Sequence, residues 1–148
     1  MKGIVFIIFY IGLGISSVYS QTSSNITLKE IRHHVDNIAA SLESRGGLDK
    51  MYVNIDDNGE RWVYLEDMEL DGLRSDEAFV SLEYSEIIIK MIYHSITYNM
   101  EKPISFKSFT DILRTKSING VHFRTKNNDF FFDYDEIIEK GKSRKNKS

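Results

Sequence analysis

The sequence predicts a single α+β domain, with an antiparallel sheet from two hairpins packed on two to three helices. Three observations carry this. Apolar residues recur at helical spacing after a capping signal at Thr27. Alternating segments flank Asn58-Gly59, and a second alternating pair flanks Lys126–Asp129.

The chain starts with a different kind of segment. Met1-Lys2-Gly3 carries one positive charge, and Ile4–Ile15 is apolar apart from Gly12 and Gly14. Val18 and Ser20 stand at −3 and −1 of a small-residue stretch, which predicts a secretory signal over residues 1–20, cleaved before Gln21. The apolar run falls short of the ~20 residues that a membrane span needs. Ile87–Ile96 is interrupted by Lys90 and His94, as in a core helix. No membrane span is therefore expected after signal removal. The expected location is periplasmic or secreted, with a domain over residues 21–139 and a basic, disordered tail over 140–148.

The first helix is expected over Thr27–Arg45. Thr27 and Glu30 form a T-x-x-E capping box, Ile26 can staple onto Ile31, and Leu28, Ile31, Val35, Ile38 and Leu42 make one stripe. Gly46-Gly47 ends it. Met51, Val53 and Ile55 alternate toward the Asn58-Gly59 turn, and Trp62–Leu65 return. Residues 78–83 are ambiguous between strand and helix; the phase of the apolar face places a break near Glu83, with a short strand or turn before a helix that runs to about Met100. The face of that helix holds Tyr84, Ile87, Ile88, Met91, Ile92, Ser95, Ile96 and Asn99. Ser105 can cap a short helix through Phe106, Phe109, Ile112 and Leu113, which Asn119-Gly120 closes. Val121–Thr125 and Phe130–Tyr134 form the second hairpin, and Asp135–Lys140 adds a helical turn.

Composition restricts the function. The chain has no cysteine, so thiol chemistry and thiolate metal sites are excluded. Its formal net charge is −3, although residues 140–148 concentrate basic side chains. Residues 54–86 hold eleven acids against Arg61 and Arg74 alone. An acidic body repels phosphate backbones, which argues against nucleic acid. It favours a basic protein partner, with Glu66, Asp67, Glu69 and Asp71 as the contacting acids.

Other constellations are thinner. Asn54–Leu65 has the spacing of a calcium loop, but Leu65 stands where the bidentate Glu must be. Glu30 and His34 share one side of the first helix, yet two ligands do not make a metal site. No cofactor is implied. His94 or His122, with Arg124 and carboxylates, could perform acid–base hydrolysis. Asn25-Ile26-Thr27 is a glycosylation sequon in a eukaryotic or viral secretory route. Phe130-Phe131-Phe132 is the densest apolar run, which favours burial on both sides; alternation would instead turn Phe131 outward. The expected function is that of an exported, non-catalytic binding protein of inhibitor, immunity or adaptor type. The alternatives are a small secreted hydrolase and a small-ligand carrier with an aromatic pocket.

Overall fold

The structure, a computed structural model, describes residues 26–70 and 76–147, with side chains to Lys140. The expected signal segment and Asp71 lie outside the described residues.

Helix α1 spans Leu28–Ser44, and the Thr27 hydroxyl accepts from the Glu30 amide at 3.1 Å. This satisfies one of the first-turn donors that a helix leaves open. Ile31, Val35 and Ala39 face the core, and Ile26 is buried just ahead of the cap. Strands β1 (Lys50–Ile55) and β2 (Arg61–Asp67) pair antiparallel. Asp56 closes their turn, its Oδ1 accepting from the amides of Asn58 and Glu60, while Gly59 takes φ +81°.

Helix α2 spans Glu77–Thr97 without a break, so residues 78–83 are helical and not a strand or turn. The buried line runs Glu77, Ser81, Ser85, Ile88, Ile92 and Ile96. Its first half uses small hydroxyl residues, which a search for large apolar side chains passes over. The face is also rotated from expectation: Ile87 and Met91 are exposed, and Ile89 is buried. Helix α3 (Phe106–Thr115) is capped by Ser105, whose Oγ accepts from the Ser108 amide at 3.1 Å. It ends through Lys116 and a left-handed Ser117, not at Asn119-Gly120. Those two residues lie inside strand β3 (Ile118–Thr125). Strand β4 (Asp129–Asp133) pairs antiparallel with β3. Helix α4 then runs Tyr134–Lys147.

The sheet order is β1-β2-β3-β4, and β2 and β3 run parallel. The sheet is therefore mixed, and the antiparallel two-hairpin sheet is not what forms. A parallel neighbour needs a long crossover connection, and α2 and α3 provide it. Met51, Val63, Leu65, Val121, Phe123 and Phe132 join the buried side chains of all four helices in one core. Successive strand residues point to opposite faces. All the helices thus serve one face of the sheet, and the second face is uncovered among the described residues. No described helix is long and apolar enough to cross a membrane.

Candidate functional site

The second face of the sheet carries two ordered rows. In register across the four strands stand Tyr52, Tyr64, His122 and Phe131. Their ring centroids follow at 4.9, 5.0 and 4.3 Å, the last pair stacked. One pleat along, Lys50, Glu66, Arg124 and Asp129 alternate in sign. Cross-strand pairs of these kinds each stabilise a sheet by roughly 0.2–1 kcal/mol.

The aromatic row is separate from the core. Tyr64 is buried under its neighbours yet does not belong to the core cluster, while Tyr52 and Phe131 are 41% and 53% exposed. The expectation that Phe131 is buried is thus corrected. Phe132 takes the core side, and alternation turns Phe131 out. Trp62 reaches Phe131 edge-on at 5.1 Å. A register shift between Arg61 and Val63 sets Trp62 opposite the Asn119–Gly120 stretch of β3.

Polar groups fix these rings. The Trp62 indole donates to Asp56 Oδ2 at 3.0 Å. That bond, with the amides of Glu60 and Asn58, holds the Asp56 carboxyl below the usual carboxylate range. Tyr64 donates to Glu66 Oε1 at 2.6 Å. Burial first, then the Glu66 bond and charge, push the Tyr64 phenol up, and Arg124 opposes them. His122 Nε2 lies 2.8 Å from Asp129 Oδ1, and Arg124 Nε approaches the same oxygen at 3.8 Å.

The acids of residues 54–86 divide among several places. Asp56, Asp57 and Glu60 sit at the β1–β2 turn, and Glu66, Asp67 and Glu69 at the other end of β2. Asp67 and Glu69 share a cleft of about 350 Å³ with Asp49, a residue that the sequence reading did not select. Asp67 Oδ1 accepts from the Glu69 amide, and Asp49 Oδ2 from the Met68 amide. Glu77 and Glu86 are buried on α2, where Asn128 bonds Glu77 and Lys90 bonds Glu86.

The histidines fall on two sides of the molecule. His122, with Arg124, belongs to the open sheet face. His94 is on α2, across the core, and lines a cleft of about 660 Å³ between α1 and α2. The structure therefore does not bring His94 and His122 together. It brings His34 to Ser95 instead, with Nδ1 2.6 Å from the hydroxyl. Burial, and then the charge of His33, lower the affinity of His34 for a proton; Glu30, one turn earlier, opposes them. Among the described residues no group of three or more His, Cys, Asp or Glu is placed to hold an ion.

Tyr52, Tyr64, His122 and Phe131 each sit in an alternating segment, but the register of the four strands is what sets them side by side. The His34–Ser95 contact bridges 61 positions and has no local signal. The fold and its site define a class: a helix-backed mixed sheet with an aromatic, charge-bordered face. No protein-family model, curated protein or solved structure matches the chain.

Proposed function

We propose that this chain is an exported binding protein whose open sheet face docks a basic protein partner, and that this face acts by binding alone. The observation that carries the reading is the aromatic row lying outside the core. Trp62, Tyr52, Tyr64 and Phe131 with Arg124 form the residue mixture that dominates binding hot spots. Their rings already pack on one another, so little side-chain freedom remains to be lost on association. The border is net acidic: Asp56, Glu66, Asp129 and Asp133 stand against Lys50 and Arg124. Asp67 and Glu69, with Asp49, line an acidic cleft beside α2, next to the open face and not on it, which adds negative charge at that end of the sheet.

The test is a pull-down from the native compartment with three baits, at low and high salt. Wild type is compared with Tyr52→Ser/Phe131→Ser and with a variant neutralising Glu66, Asp67, Glu69 and Asp71. A basic protein should be retained by wild type and lost from the aromatic variant. The neutralised variant should bind it more weakly and with less dependence on salt, because exposed charges are screened beyond ~8 Å. Equal retention by all three baits at both salts would refute the reading.

A further inference from the structure

We propose that the cleft between α1 and α2 is an esterase site, with Ser95 as nucleophile and His34 as general base, for esters of apolar carboxylic acids. It lies across the core from the sheet face and does not rest on the binding reading.

The hydroxyl geometry comes first. Ser85 and Thr97, on the same helix, donate to the carbonyl one turn earlier, at 2.8 Å each. Ser95 instead reaches across to another helix and meets an imidazole nitrogen at 2.6 Å. With the ring proton on Nε2, His34 Nδ1 is the acceptor, as a general base must be. The surroundings favour the neutral ring. Burial and the charge of His33 disfavour the imidazolium, and Glu30 restores part of its stability. That balance suits a group which must take a proton and then release it.

The cleft around the pair is open to solvent and lined mostly by apolar surface. Its volume is about 660 Å³, within the ~300–1,000 Å³ usual for small-molecule sites. Ile38, Met91 and Tyr98 supply apolar walls. Met91 and Tyr98 are 36% and 85% exposed, a surface that α2 does not need for its own core. Asn99 lies one turn beyond Ser95 on the same side, and its amide can donate to a developing oxyanion.

The chemistry balances without a cofactor. Ser95 Oγ attacks the ester carbonyl carbon while its proton passes to His34 Nδ1. The tetrahedral oxyanion collapses, the C–O bond to the alcohol breaks, and the alcohol leaves with the proton from His34. Water, deprotonated by His34, then attacks the acyl-serine; the acid departs, and the proton returns to Ser95.

The probes are an alkyl fluorophosphonate and p-nitrophenyl butyrate, used on the full exported chain. Peptide mapping should place the phosphonyl group on Ser95, and hydrolysis should exceed the buffer rate. Ser95→Ala should abolish both, His34→Gln should lower both at least a hundredfold, and Lys107→Gln should change neither. A wild-type chain that is unlabelled at Ser95 would overturn the proposal. So would butyrate hydrolysis that persists in Ser95→Ala. Should His34→Gln fail to fold, as a melting curve would show, labelling of Ser95 in wild type decides the matter alone.

Discussion

Tyr134 is the largest side chain fully sealed in the core, and its hydroxyl has no hydrogen-bond partner among the described residues. Arg114 lies over the ring at 5.2 Å. Burial pushes the phenol up, and the arginine charge offsets only part of this. A buried hydroxyl without a partner costs about 1–3 kcal/mol in lost hydration. Tyr134→Phe removes the oxygen and keeps the ring, so it should raise stability by up to about that amount. Urea unfolding of the two proteins measures the difference. A clear loss of stability in the variant would mean that the hydroxyl is bonded after all.

Gly120 shows how one small residue sets an element. Its φ is +158°, and a β-carbon there would run into the Phe132 carbonyl oxygen of the adjacent strand. Gly120→Ala must push β4 away from β3, and overpacking of this kind costs about 1–3 kcal/mol. The same change should shift Trp62 off Phe131 and alter its fluorescence, which gives the prediction a second readout. Local elements were legible where local chemistry decides them. The capping box at Thr27, the serine cap at Ser105 and the Asn58-Gly59 turn each specify a boundary within a few residues. The N-terminal half of α2 was not legible, because small polar Ser81 and Ser85 hold its buried positions in place of large apolar side chains. Nor was the mixed sheet. Each antiparallel pair is specified by its own turn, but the parallel contact of β2 with β3 depends on how α2 and α3 carry the chain back, over 50 residues of tertiary packing. Of the candidate site, the acids at 66–69 were visible as composition, whereas the aromatic row needed the register of four strands and the Ser95–His34 contact needed two helices in place.

At the scale of the whole molecule the two faces of the sheet have opposite uses. One is sealed by helices and holds the core; the other displays rings and charges. The edge strand β4 joins these roles, since Phe132 anchors the core and Phe131 is displayed beside it. Three consecutive phenylalanines on a sheet edge are also a hazard, for such a segment can template pairing with another chain. In this strand Asp129 and Asp133 flank the run on both sides, and both are exposed. They serve as gatekeepers: two like charges carried into every intermolecular stack would repel their copies in the next chain. Asp129→Asn/Asp133→Asn should therefore refold with a lower soluble yield, and the deficit should grow with protein concentration, as light scattering during dilution from urea would report. The acids that border the open sheet face would then also keep a Phe-rich edge from polymerising while the chain is unfolded.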